Sequence, residues 1–443
     1  MRRSWFATIV CVIGLGLIIQ ANNAHAKLED ILYEKGQITK EEWVHAKSDA
    51  EKEDAIIQQR TTTDKWYEKL SLRGYTQMRY NTITTDDTRL NSPYDSSIGN
   101  SKGFILRRAR LVLSGDINEW VSVFLQTDFG STAGTGNNNF GQLRDLYADI
   151  FLPMSYITSS VTNKEVRIRA GQSKVPFGFE NLQSSQQRLA LDRTDAINTG
   201  APNERDIGFF LYYTPTETKK VFRSLLDKGL KGSGEYGVLG IGVYNGQTMN
   251  VSEANADKHV VLHATYPFEL PYGQIVQVGV DAYSGKIVVT RAAVTPAAGG
   301  PAALPSMDNG GNIDDERIGT HFVLYPQPFG LQAEWNWGRG PELNAARTRI
   351  QETSLQGGYV QAMYKWENIM PYVRWQQYYG GRKNVTNSPS NVVRETELGV
   401  EYQFNRALEL TVAYAWMDRT DNSTAPYVMR DGQLVRFQLQ WNY

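Results

Sequence analysis

Residues 433–443, QLVRFQLQWNY, constrain the fold of this chain more than any other stretch. From Val435 every second residue is apolar or aromatic: Val435, Phe437, Leu439, Trp441 and Tyr443. The residues between them, Arg436, Gln438, Gln440 and Asn442, are polar. Side chains alternate between the two faces of a strand, so the segment has one greasy face and one wet face. The pattern runs to the final residue and ends on an aromatic ring. A closed membrane barrel explains that ending, because its last strand must seal the ring and its aromatics sit at the membrane interface.

The opposite end reads as a secretory signal peptide over residues 1–26. Arg2 and Arg3 form its positive start, residues 5–19 its apolar run, and Ala24-His25-Ala26 its cleavage site. The alternative is an uncleaved anchor, but the run is short for roughly 30 Å of hydrocarbon. Cys11, the only cysteine, lies in that run, so the mature chain uses neither disulfides nor thiol chemistry. The mature chain has 44 basic residues against 47 acidic ones, a net charge of −3, which excludes a bulk attraction to nucleic acid. The mean hydropathy of the full 443-residue sequence, −0.44, suits a barrel, in which only alternate residues face lipid.

Residues 27–70 are charged and helix-prone, and read as a short helical periplasmic segment. Gly36 breaks the run LEDILYEKGQITKEEW, and Thr39 with Glu42 forms a capping-box pattern. Its apolar residues (Leu28, Ile31, Leu32, Ile38, Trp43, Val44) are too few for a core of its own. From residue 71 to 443, about sixteen strand-like segments follow, the layout of an all-β, transmembrane antiparallel β-barrel. Tight gaps such as 115–119, 269–272 and 405–406 alternate with long ones such as 81–103, 173–204, 285–315, 339–355, 380–392 and 419–431. Gap 215–234 breaks the rule, being long on the short-turn side, and is expected to form a small helix. Alternation is plain where Leu408, Leu410, Val412, Tyr414 and Trp416 interleave with Glu409, Thr411, Ala413 and Ala415. A soluble β-sandwich leaves lone charges such as Glu409 opposite a greasy row unexplained.

With the polar faces turned inward, Arg73 and Arg79, Arg108 and Arg110, Arg167 and Arg169, and Arg436 line the lumen around the closing seam. Asp145, Asp149, Asp281, Glu334, Glu397, Glu401 and Glu409 supply an acidic counterpart. Guanidinium stays charged and offers forked donors to oxyanions, so such a wall favours anionic or polar solutes. The alternative is that these arginines pair with nearby aspartates and only stiffen the wall.

The chain resembles the phosphate-selective porin O and P family. The resemblance rests on GFILRRARLVLSGDI (103–117) and on RAGQSKVPFGFENLQSSQQRLALDR (169–193), which follows a Gly-Gln-x-Lys-x-Pro-Phe-x-x-Glu-x-Leu-x-Ser-Ser pattern. It implies a sixteen-stranded homotrimer in the bacterial outer membrane, with the third long loop, 173–204, folded inward as a constriction. That loop carries Lys174, Arg188 and Arg193 against Glu180, Asp192, Asp195 and Glu204, without a lysine cluster. A general anion-preferring diffusion channel therefore stands ahead of a dedicated phosphate channel. Pro176, Phe177 and Phe179 of this loop are expected to pack against the inner wall. The aromatic end at Tyr443 resembles the signal read by the barrel-assembly machinery.

Two rival functions differ in class: a structural or adhesin-type barrel with a plugged lumen, and an outer-membrane hydrolase. No catalytic elbow, metal-ligand spacing or phosphate-binding glycine loop appears, so no catalytic residue, metal or cofactor is expected. His259 and His263 share a strand face without a third ligand. The partners implied are lipid and small anionic or polar solutes.

Overall fold

The computed structural model describes residues 32–63, 65–84, 103–130, 141–153 and 164–443. The signal segment 1–26, the apolar Leu28 and Ile31, and most of gap 81–103 lie outside the described residues. The chain divides into two compact units between Lys69 and Leu70.

The first unit contains helix α1, Lys40–Thr63. The expected capping box forms at its start. The Thr39 backbone N–H donates to Glu42 Oε2 at 2.7 Å, its hydroxyl does so at 3.0 Å, and the Glu42 N–H returns to Thr39 Oγ1 at 3.3 Å. The Thr39 backbone bond, then its hydroxyl, hold the Glu42 carboxyl below its ordinary value. Tyr33 stacks on Trp43 at 5.1 Å, and Lys47 lies 4.5 Å above the same indole.

The second unit is a closed antiparallel ring of sixteen long strands. In chain order these are β1 Ser71–Ile83, β2 Phe104–Asp116, β3 Val121–Asp128, β4 Gln142–Phe151, β5 Val166–Lys174, β6 Arg205–Tyr213, β7 Leu239–Tyr244 and β8 His259–Glu269. The second half comprises β9 Ile275–Ile287, β10 Ile313–Leu324, β11 Phe329–Leu343, β12 Arg349–Tyr364, β13 Ile369–Gly381, β14 Ser390–Asn405, β15 Leu408–Thr420 and β16 Met429–Asn442. Each strand pairs with its chain neighbours, and β1 pairs with β16 through Tyr75↔Asn442, Gln77↔Gln440 and Arg79↔Gln438. Gly74 and Tyr443 then exchange both backbone hydrogen bonds, at 2.6 and 3.0 Å. Gly74 and Tyr443 thus mark one end of the seam, and the ring of sixteen strands is closed.

Burial is inverted relative to a soluble sheet. On β16, Phe437 is exposed while Arg436, Gln438 and Gln440 are buried. On β9, Val278 and Val280 are exposed while Gln277 and Asp281 are buried. The apolar rows face outward, where lipid replaces water, and the polar rows face the interior.

The strands run further than the gaps suggested. Gaps 339–355 and 380–392 shrink to 344–348 and 382–389, because β11 to β14 continue beyond their alternating apolar stretches. In gap 285–315 the two-residue strand Ser306–Met307 pairs in parallel with Arg349 and Ile350 of β12. Between β5 and β6 lie the short helices α2, Phe179–Leu182, and α3, Asp195–Gly200. Between β6 and β7 lies α4, Thr216–Asp227, the helix expected in the exceptional gap.

Candidate functional site

The segment 175–204 crosses the barrel interior, and its motif residues are what hold it there. Lys174, the last residue of β5, turns its ammonium onto the carbonyls of Asn181, Leu182 and Gln183 at 2.9–3.0 Å. It therefore caps the end of α2. Gly178 has φ +82°, and a Cβ there would lie 2.5 Å from Glu334 Oε1. Without one, its N–H donates to Asp281 on β9 at 3.2 Å, and the next turn donates Glu180 N–H to Glu334 on β11 at 3.0 Å. Phe177 meets Tyr283 edge-on at 4.9 Å, and Phe179 lies 5.7 Å from His321. These rings pack the segment against the inner wall, as expected of them. Glu180 accepts from Thr194 N–H and Oγ1, both at 2.8 Å, and pairs with Arg374 at 3.3 Å. Arg193 bonds Asn181 Oδ1 at 2.5 Å, and Arg188 donates to the Gln183 carbonyl at 3.3 Å. Lys174, Glu180, Arg188 and Arg193 thus fold the segment on itself.

Asp192 sits where this segment reaches the seam. Arg79 of β1 and Arg436 of β16 both bond its Oδ2. Arg107 and Arg108 of β2 reach its Oδ1 at 3.2 and 3.4 Å, and Arg374 of β13 donates to its carbonyl at 2.7 Å. Arg110 pairs with Asp128 at 2.8 Å and donates to Tyr75 and Ser185 at 2.9 and 3.0 Å. Among the described residues, five guanidiniums (79, 107, 108, 110, 436) thus gather around Asp128 and Asp192, and Glu397, 3.6 Å from both Arg436 and Arg374, continues the network to β13. Unit charges 4 Å apart at an effective dielectric near 20 interact by about 4 kcal/mol, so these ion pairs tie the segment firmly to the seam.

Arg107 was absent from the expected set because strict alternation turns it toward lipid. The register explains its position. Gln77 faces Arg108, while the next residue, Met78, faces Leu106, so Arg107 is the extra residue of a β-bulge. A lipid-facing arginine costs about 2–4 kcal/mol near the bilayer midplane. The bulge brings two consecutive arginines inward instead. The Arg-Arg doublet inside an alternating strand was the readable signal.

The other predicted arginines separate. Arg169 holds Asp149 with two bonds at 2.7 and 2.8 Å and lies 3.8 Å over the Tyr147 ring. Arg167 bridges Asp149 at 3.3 Å and Glu235 at 2.7 Å. This pair forms a separate ionic cluster on β4 and β5, held by Asp149, one of the acidic residues expected in the lumen. Arg73 is exposed, opposite Val112, one residue before Gly74 meets Tyr443. The seam register pairs Arg436 with Asn81, eight residues along β1, so Arg73 does not sit beside Arg436 and is not part of the buried group. A third cluster joins Asp195 of α3 to Arg382 and Arg419, with Arg419 also 2.8 Å from Glu395.

The strand histidines fall into two groups, each on one aspartate. His259 meets Asp315 at 3.2 Å, and His263 meets Asp281, which also lies 3.4 Å from His321. Among the described residues, no group of three or more His, Cys, Asp or Glu side chains is placed to hold a metal ion.

The model of the family Phosphate-selective porin O and P matches residues 77–443. The chain belongs to this porin family. It is accordingly a porin-type β-barrel of the outer membrane. Solved structures agree on the fold. The in-vitro folded OmpT of Vibrio cholerae, in its trimer form, is 8% identical with a TM-score of 0.51, over 84% of this porin and 99% of that chain. Outer-membrane-expressed OmpT of Vibrio cholerae, also 8% identical, gives 0.50 over 84% and 97%. No curated protein matches the sequence.

Proposed function

We propose that this porin passes small hydrophilic solutes and ions passively, with a preference for anions, and that it works as a homotrimer. The observation that carries the preference is the gathering of five guanidiniums at the seam. A solute entering the interior meets Arg79, Arg107, Arg108, Arg110 and Arg436 against Asp128 and Asp192. Arginine keeps its charge at any working pH, so the field persists. Phosphate belongs to the class this field favours. The engagement of each arginine with carboxylates argues for attraction by field rather than for a dedicated phosphate chelate. The trimer is supported by the family and by the trimer form of the similarly folded OmpT of Vibrio cholerae. Residues 27–70 take a periplasmic place in this reading, and Tyr443 serves barrel assembly.

A second reading has an observation of its own. The seam arginines are nearly all buried, Arg79 completely and Arg107 with 14% of its side chain exposed. A barrel plugged by its own segments would look the same, with its outer loops binding a partner. Planar-bilayer recording separates the two. Stepwise conductance from the refolded protein is expected, and its absence would favour the plugged barrel.

A further inference from the structure

From the geometry between β6 and β7 we infer a second gate: segment 214–238 is a plug of the short-turn mouth, latched by Lys231 on Glu401. The inference rests on the porin reading, since a plug matters only to a pore.

A turn between neighbouring strands needs only a few residues. This one is long, and it does not stay at the rim. Helix α4 turns Phe222 and Leu225 inward, where they pack with Leu230 and Val238. The same cluster includes Ile275 of β9, Val323 of β10, Tyr325 and Phe179, so it joins the inward faces of two strands to the segment 175–204. Beyond α4 the chain continues across the interior. Lys231 reaches Glu401 of β14 with bonds of 2.6 and 2.8 Å, and both residues are buried. In a ring of sixteen, β6 and β14 are eight strands apart, on opposite walls. Gln183 donates to the Lys231 carbonyl at 2.6 Å, tying the plug to segment 175–204. Lys365, in the short turn between β12 and β13, bonds the Lys228 carbonyl.

The exposed residues of α4 differ in kind. Glu217, Arg223 and Asp227 face outward, so the helix has one face for solvent and one for the lumen. Helix α4 can withdraw as a unit, because the hydrogen bonds of Thr216–Asp227 are its own. The latch consists of one ion pair in a low-dielectric setting, where removing one partner is strongly unfavourable for the other.

The test is the swelling rate of liposomes carrying the full-length porin in an uncharged disaccharide, which a change of pore charge alone does not move. Glu401→Lys sets two ammonium groups against each other. It should speed swelling by about twofold or more. The exchange Lys231→Glu with Glu401→Lys should bring the rate back to wild type. A third variant, with residues 216–233 replaced by a short Gly-Ser turn, should be as fast as Glu401→Lys and removes the dependence on one buried substitution. Retained β-sheet circular dichroism identifies the folded variants. Equal rates in wild type, Glu401→Lys and the replacement would overturn the plug and leave the segment as a brace. If none of them, the replacement included, exceeds protein-free liposomes, the porin reading itself fails and the plug with it.

Discussion

Arg79, on the first strand, and Arg436, on the last, donate to the same carboxylate oxygen, Oδ2 of Asp192. The seam that closes the barrel is therefore pinned from inside by a residue of the segment crossing the interior. Closure and constriction share one anchor.

Asp192→Asn follows directly. The amide keeps the shape but removes the charge that four guanidiniums surround. The anion preference of the pore should increase, seen as a reversal potential moved toward that of chloride. Breaking a buried ionic group costs about 3–5 kcal/mol, so the barrel should also unfold at lower denaturant. An unmoved reversal potential would mean that Asp192 does not face the conducting path.

Arg107 gives a sharper geometric test. If the bulge turns it inward, Arg107→Cys should react with a charged, water-soluble thiol reagent, and Arg107→Ala and Arg108→Ala should each lower anion selectivity. A residue facing lipid would do neither. Because Cys11 is the only cysteine in the chain, the labelling has little background.

Lys174 should matter for the pore without touching the solute. Its three carbonyl acceptors make it the root of segment 175–204. Hydrogen bonds to a charged group contribute about 1.5–3 kcal/mol each. Lys174→Met should loosen the segment and give noisier, larger single-channel currents. Currents indistinguishable from wild type would show that the segment is held by its rings and by Asp192 alone.

The first unit has a pH signature. The Glu42 carboxyl is lowered in the folded helix by Thr39. Its contribution is present above the unfolded glutamate value of about 4.3 and is lost as pH falls through the folded value. Amide protection over the first turn of α1 in the full chain should therefore drop on acidification. Thr39→Ala should show that low protection already at neutral pH. Protection that is independent of pH in both proteins would contradict the capping box.

Much of this was legible in the sequence because a membrane barrel writes its fold in alternation. Leu408, Leu410 and Val412 against Glu409 and Thr411 announce both the strand and its two environments. The alternation from Val435 to Trp441 announces the closing strand, which the seam pairing bears out. The capping box at Thr39 and Glu42 is a local pattern, and it formed as written. The candidate site was only half readable, because its contacts are set across the ring. Nothing local in Asp192 says that it will meet β1, β2 and β16 together. Lys174 reads as a pore cation until its carbonyl partners are in place. Arg107 was lost to an assumption of strict alternation, and Arg73 was gained by the same assumption, since parity says which face a residue takes but not where the partner strand stops. The crossing of segment 214–238 was visible only as a turn too long for its place.

The most direct test of the anion-attracting seam is the zero-current potential of the wild-type porin in a KCl gradient across a planar bilayer. A potential displaced toward the chloride equilibrium value is predicted, with the displacement reduced in Arg79→Ala and in Arg436→Ala. A potential displaced toward the potassium value would contradict it, placing the interior under the control of its carboxylates.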